Sequence, residues 1–280
     1  LKRGKREMKN TTKKLFNKVA SLALAAMMVL SVFCVSAPTE VSAADKSFNS
    51  TGKSSVTITD QECYKIGQYA VTGEPTWVKF KAKNDGYLKI SASMASTVYT
   101  DYVDGQWQLY DKKKTTAVAP VMYYDTNSTD SLYYSDYYGV KKGTTYYLKV
   151  YADGGVKLTA SFTKVSDKSG SKKAKALNIK SGKTVTGLVR VGDSKVSDWY
   201  KINLSSAKKL TFSVTTYVND VLNVTLSGPG VYTKTFKYGS AAQGKKAKIY
   251  TSGKVKAGTY YLQVKPATKT TSGYYKISWK

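Results

Sequence analysis

Toward its C-terminus the chain alternates apolar and polar side chains with a period of two, the pattern of half-buried β-strands. One run is Lys254-Val-Lys-Ala-Gly-Thr-Tyr-Tyr-Leu-Gln-Val-Lys265, and after a Thr/Lys/Ser/Gly turn a second is Gly273-Tyr-Tyr-Lys-Ile-Ser-Trp279. A near copy lies upstream: Val140-Lys-Lys-Gly-Thr-Thr-Tyr-Tyr-Leu-Lys-Val150 is followed by Val156-Lys-Leu-Thr-Ala-Ser-Phe162. Two copies in the same order make the chain a tandem repeat, and its 280 residues divide into two modules of ordinary domain size.

In the second copy the same alternation predicts strands over Thr184–Val191, Asp198–Leu204, Lys209–Val218, Val221–Leu226, Val231–Tyr238, Lys248–Thr251, Thr259–Lys265 and Gly273–Trp279. Short strands with turn residues between them, and no sustained helical period, predict an all-β protein: two antiparallel β-sandwich, jelly-roll-like domains in tandem. Tyr200, Ile202 and Leu204 share one strand face, as do Leu210, Phe212 and Val214, so these are candidate core. Trp77-Val-Lys-Phe-Lys-Ala82 matches Trp199-Tyr-Lys-Ile-Asn-Leu204 in the first copy. The equivalence of Trp77 and Trp199 favours a shared packing role. Trp77 to Tyr147 spans 70 positions where Trp199 to Tyr261 spans 62, which predicts an insertion around Tyr99–Gly105 and Tyr123–Tyr138.

The N-terminal residues read differently. Met8-Lys-Asn-Thr-Thr-Lys-Lys14 is basic, Val19 to Val35 is apolar, and Val41-Ser-Ala43 has the form signal peptidase accepts. Residues 1–43 are therefore expected to be a secretory signal, with 1–7 an overcalled start. The first module is then 44–165, a linker 166–175 and the second module 176–280. Localisation is expected to be secreted, in association with a bacterial cell wall, with no membrane-spanning segment after the signal. Cys63 is the one cysteine after Ala43, so no intramolecular disulfide forms and stability comes from packing.

Charge separates the copies. Residues 44–165 carry 15 Lys against 12 acids, whereas 166–280 carry 22 basic residues against 4 acids, so the second module is the polycation. Its expected partners are anionic cell-wall polymers or glycans, with nucleic acid only incidental. The chain has no His, which removes His-based catalytic triads and the commonest zinc ligand, and no carboxylate pair has a context suited to hydrolysis. A non-catalytic role is expected.

The segment Tyr123-Tyr-Asp-Thr-Asn-Ser-Thr-Asp-Ser-Leu-Tyr-Tyr-Ser-Asp-Tyr-Tyr138 carries the candidate chemistry. Rings of Tyr123, Tyr124, Tyr133, Tyr137 and Tyr138 beside Asn127 suit sugar faces and hydroxyls, while Asp125, Asp130 and Asp136 offer oxygen ligands to calcium, the one cofactor considered. Structural packing of the same tyrosines is the competing reading.

A Trp strand, a hydrophobic strand about ten residues on, then Ala-Gly-Thr-Tyr-Tyr-Leu-Gln-Val and a closing Gly-Tyr-Tyr-Lys-Ile resemble the bacterial pre-peptidase C-terminal domain family. The resemblance covers nearly all of 174–280 and, less cleanly, 62–165. It implies non-catalytic β-sandwiches of the kind appended to exported enzymes, some of which bind a substrate polymer or calcium. No peptidase domain stands before the repeats in these residues, so the host activity is not carried over. The protein exported by cells is expected to begin at Ala44 or Asp45, which intact-mass spectrometry of the secreted form checks; Met8 retained in a membrane fraction would overturn it.

Overall fold

A computed structural model describes residues 45–58, 64–66, 70–94, 102–127, 134–152, 155–193, 196–239, 243–250 and 253–280. Residues Asp45–Lys280 form one compact unit. The predicted alternation is realised as strands. In the first half these are β1 (Lys46–Ser47), β2 (Gly52–Ile58), β3 (Tyr64–Ile66), β4 (Ala70–Thr72), β5 (Thr76–Lys81) and β6 (Gly86–Met94). They continue with β7 (Tyr102–Tyr110), β8 (Met122–Asn127), β9 (Tyr134–Val140), β10 (Thr145–Ala152) and β11 (Val156–Lys164). The second half has β12 (Leu177–Asn178), β13 (Thr184–Val189), β14 (Asp198–Leu204), β15 (Thr211–Val218) and β16 (Leu222–Gly228). It ends with β17 (Val231–Tyr238), β18 (Lys246–Tyr250), β19 (Gly258–Pro266) and β20 (Gly273–Trp279).

Each half is a sandwich of a five-stranded and a four-stranded sheet. The orders are β1-β5-β10-β7-β8 over β2-β11-β6-β9, and β12-β14-β19-β16-β17 over β13-β20-β15-β18. Setting aside the short β1 and β12 edges and the β3–β4 hairpin, the strands of either half run first-eighth-third-sixth in one sheet and second-seventh-fourth-fifth in the other, the order of a jelly roll. The fold class is therefore all-β, two sandwiches in tandem. Pairing is antiparallel except where β1 joins β5 and β12 joins β14 in parallel, two edge strands too short to show in the alternation.

The inward positions close the cores. Val78 and Phe80 of β5 face Leu88 and Ile90 of β6, and in the second half Tyr200 and Ile202 face Phe212, Val214 and Ile277. Each core also buries a polar chain. Trp107 Nε1–H donates to the Tyr138 hydroxyl at 2.8 Å in the first. In the second, the Tyr200 and Tyr275 hydroxyls lie 2.8 Å apart and Tyr275 donates onward to Asp198, which also accepts from Ser169 Oγ. These buried tyrosine hydroxyls are tolerated because each finds a partner.

The longer middle of the first half falls between the two places expected, Tyr99–Gly105 and Tyr123–Tyr138. Tyr123–Tyr138 contains β8 and β9, which correspond to β17 and β18; the extra chain is instead the β7–β8 connection, residues 111–121, where the β16–β17 turn is only Pro229 and Gly230. In that connection Asp111 Oδ1 accepts the N–H groups of Lys113, Thr115 and Thr116, a turn-forming side chain doing what ladder bonds do elsewhere. The segment 166–175 is tied to the second half along its length. Asp167 accepts from Ser169 N and Leu188 N, Gly170 exchanges two backbone bonds with Trp199, and Lys173–Lys175 form a 3-10 turn.

The two halves meet at Gly139. Its carbonyl accepts from Val191 N at 2.8 Å, and a Cβ there would come 1.9 Å from the Val189 carbonyl oxygen, closer than atoms can approach. Val191, a second-half residue, packs into the first core. Gly139→Ala is expected to push the halves apart and cost about 1–3 kcal/mol, as overpacking does, read as a lower melting temperature and faster proteolysis near 166–175. An unchanged melt would show that the contact at Gly139 does not hold the halves together.

Candidate functional site

The outward faces of the four-stranded sheets follow from the same alternation. On β2-β11-β6-β9 the residues that point away from the core form cross-strand rungs: Lys53–Ser161–Lys89–Tyr137 and Ser55–Thr159–Ser91–Ser135, with Thr163–Tyr87–Gly139 beyond them. On β13-β20-β15-β18 they are Thr184–Ser278–Ser213–Lys248, then Thr186–Lys276–Thr215–Lys246, then Leu188–Tyr274–Tyr217. Each face is a lattice of hydroxyls and ammonium groups, with tyrosines at one end.

The tyrosine ends meet. Tyr87 stacks on Tyr274 with ring centroids 3.9 Å apart and planes 14° from parallel, and Tyr274 stacks on Tyr217 at 4.6 Å and 6°. Tyr137 sets its edge against Tyr217 at 5.2 Å and against Tyr274 at 5.7 Å. Val165 and Leu188 are buried with this cluster. Aromatic pairs of this kind contribute about 0.5–1.5 kcal/mol each beyond the area they bury. Burial and the neighbouring phenols push Tyr274 far up, so its hydroxyl stays protonated and remains a hydrogen-bond donor.

Polar contacts pin the same seam. Arg190 pairs with Asp85 at 3.0 Å, and Asp85 Oδ1 accepts from Lys142 N at 2.7 Å. Burial works against the Asp85 charge, but that N–H and the guanidinium hold its carboxyl below the ordinary value. Gln243 of the second half donates to Asp136 at 3.3 Å and to the Val218 carbonyl at 2.7 Å. Beside the stack a groove of about 450 Å³ is lined by Tyr87, Thr163, Lys164, Val165 and Ser166 on one side and Thr186, Tyr274 and Lys276 on the other. A neighbouring concavity of about 320 Å³ lies over Lys53, Lys89, Ser91 and Ser161 of the first face.

The residues singled out in Tyr123–Tyr138 are dispersed. Tyr138 is fully buried and bonded to Trp107, and Tyr124 is buried with its hydroxyl donating to the Tyr151 carbonyl, so neither offers a ring face to a ligand. Tyr137 belongs to the seam. Tyr123 is 40% exposed on the outer face of β8, where it pairs across Gln106. Tyr133 and Asp130 lie outside the described residues, as does Cys63; of Asp125 and Asn127 only the β8 backbone is described.

Asp136 is buried and accepts the N–H of Tyr137 at 2.8 Å. Desolvation pushes its carboxyl up to about 6 against those donors, an environment opposite to the ionised, water-facing carboxylates calcium prefers. Among the described residues no three carboxylate or thiol groups converge to metal-binding distance.

A second aromatic surface is occupied by the protein itself. On the outer face of β5 and β10, Trp77 meets Tyr110 edge-on at 5.3 Å, and the ammonium groups of Lys114 and Lys149 lie 5.3 and 5.9 Å from its ring centre. Lys114 holds a positive φ of 60° and pairs with Asp45 at 2.7 Å. Trp77 and Trp199 are both half-buried at equivalent outward positions.

No family model matches the chain, and no curated protein matches it. Among solved structures it is similar to the pre-peptidase C-terminal domain of a collagenase from Bacillus anthracis, at 25% identity and a TM-score of 0.30, over 37% of this chain and 93% of that one. It is also similar to the N-terminal tandem CBM22 domains of a Paenibacillus barcinonensis protein, at 11% identity and a TM-score of 0.26, over 81% of this chain and 91% of that one.

Two buried carboxyls make stability depend on pH. Desolvation, with repulsion from Asp167, pushes Asp198 up to about 6, as burial does Asp136. A carboxyl whose folded-state pKa is raised stabilises the fold fully only below its unfolded value, near 4, and that contribution is lost as pH rises through about 6. Asp85 is shifted down and acts below this window. Asp198→Asn should therefore flatten the change in unfolding free energy between pH 4.5 and 7.5 by on the order of 1–3 kcal/mol relative to the parent protein. Parallel profiles for the two, measured by denaturant titration, would count against the raised pKa.

Proposed function

We propose that this is an exported, non-catalytic binding protein in which two sandwich modules, 44–165 and 176–280, attach to an anionic cell-wall polymer or glycan. The observation that carries this reading is the pair of outward faces on β2-β11-β6-β9 and β13-β20-β15-β18. Both present Lys, Ser and Thr in register, with Lys53 and Lys89 sharing one rung of the first face, and Lys276 with Lys246, then Lys248, on adjacent rungs of the second. Rungs on one face repeat at roughly 7 Å along the strand, a spacing that lets a chain molecule meet several ammonium groups at once. Residues 44–280 carry 37 Lys and Arg against 16 Asp and Glu, a net charge of +21 that adds a positive potential drawing polyanions toward these faces.

Arg190 is the one arginine after Ala43 and it is engaged with Asp85, so the cations available to a ligand are lysines. Lysine attracts as a point charge without the bidentate geometry of a guanidinium, which favours broad recognition of anionic polymers over selection of one. A pair of carbohydrate-binding modules is the second reading. It rests on the rung Tyr151–Gln106–Tyr123 on the outer face of β10, β7 and β8, where two rings flank an amide.

Binding to immobilised wall polymer or heparin should weaken at least ten-fold between roughly 50 and 200 mM salt, as counterion release and screening require. Retention that ignores salt would reject charge-driven attachment and favour the sugar-face reading.

A further inference from the structure

The groove beside the tyrosine stack differs from the open faces around it, because its two walls come from different modules. Lys164, at the end of β11, and Lys276, in the middle of β20, both line it, together with the hydroxyl-bearing Thr163, Ser166, Thr186 and Tyr87 and the apolar floor of Val165. Among the described residues no carboxylate lines it. Two acids close in sequence to its lining are engaged elsewhere: Asp85 with Arg190 and the Lys142 N–H, and Asp167 with the N–H groups of Ser169 and Leu188. Two cations and several neutral donors therefore face one concavity whose described lining carries no counter-charge.

The walls are held in place before any ligand arrives. Tyr87 and Tyr274 stack at 3.9 Å across the seam, Gly139 bonds to Val191, and Arg190 to Asp85, so the distance between Lys164 and Lys276 is set by the docked modules. A groove fixed in this way spends little binding free energy on ordering itself. Its exit along β6 and β11 leads to the next rung, Lys89 and Ser161, which line the neighbouring concavity with Lys53.

We propose that this seam groove is the binding site for an anionic polymer whose repeating unit carries hydroxyl groups, laid across Lys164 and Lys276 and continuing toward Lys89 and Lys53. The inference rests on the polymer-binding reading above and adds the place and the chemistry. The lysines take the negative charge of each repeat; the Ser, Thr and Tyr hydroxyls exchange hydrogen bonds with its polyol or sugar oxygens. The charge can be a phosphodiester or a uronic carboxylate, since a lysine ammonium meets either as a point charge. Neither module alone supplies both walls, so the site exists only when the two are docked.

The test uses the whole protein after signal removal, with Lys164→Ala/Lys276→Ala as the groove variant. Lys112→Ala/Lys237→Ala is the control, removing two exposed lysines outside the groove. Each is titrated with poly(glycerol phosphate), polygalacturonate and neutral dextran at about 50 mM salt, where attraction between exposed charges is weakly screened. Matching melts establish that both variants are folded. The parent protein is expected to bind one or both anionic probes and not dextran, with the groove variant about ten-fold weaker and the control within about two-fold of the parent. A preference for the phosphate or the carboxylate probe identifies the source of the charge. Equal weakening of both variants, or none in the groove variant, would overturn the groove while leaving charge-driven polymer binding intact. Failure of the parent protein to bind either anionic probe would overturn that underlying reading, and dextran binding as tight as the anionic probes would remove the role of charge.

Discussion

Contact between β9 and the outer face of β13-β20-β15-β18 sets the relation of everything else. It requires a residue with no side chain at position 139, because the Val189 carbonyl occupies the space a Cβ would take. Once the backbones are that close, Tyr87 and Tyr137 reach Tyr217 and Tyr274, and Arg190 reaches Asp85. Stacking, an ion pair and backbone bonds then act together over a small area. Removing water from the tyrosine rings is the main favourable contribution, and the polar contacts fix the angle at which it occurs.

The seam is not symmetric, although the modules repeat. Tyr274 begins β20, whose counterpart in the first module is β11, whereas Tyr87 begins β6, whose counterpart is β15. Different surfaces of one jelly roll therefore face each other, a head-to-tail arrangement. Such contacts leave the unused end of each module with its own side chains, and here those are Ser, Thr and Lys. The same asymmetry explains how two copies with one topology can build a groove that neither contains.

Inside the sandwiches the repeats also diverge within a common plan. One core closes around Trp107 and Tyr138, the other around Tyr200, Tyr275 and Asp198. In both, a hydroxyl carried by a core tyrosine is satisfied by another buried side chain, which keeps the aromatic volume without the desolvation cost of an orphaned donor. The second network extends to Ser169, so the segment that leaves the first module is part of how the second one closes. That is why 166–175, polar and without apolar period, is held in place where its composition reads as an exposed linker.

Much of this was legible in the residues. Alternation located the strands of the second module to within a few residues, and the duplicated Gly-Thr-Tyr-Tyr-Leu runs required the same topology twice, because a period of two assigns each side chain to the core or away from it. The short parallel edges β1 and β12 escaped, since two residues carry no period. The Tyr123–Tyr138 segment misled for a related reason: alternation puts Tyr124 and Tyr138 inside and Tyr123 and Tyr137 outside, but composition alone drew all of them together as one ligand surface. What no periodicity contains is the fate of an outward residue. Tyr87, Tyr137, Tyr217 and Tyr274 occupy positions that read as solvent-facing, and only the tertiary structure assigns them to a seam. That assignment depends on the close backbone approach at Gly139, a relation between residues far apart in the chain that local sequence does not encode.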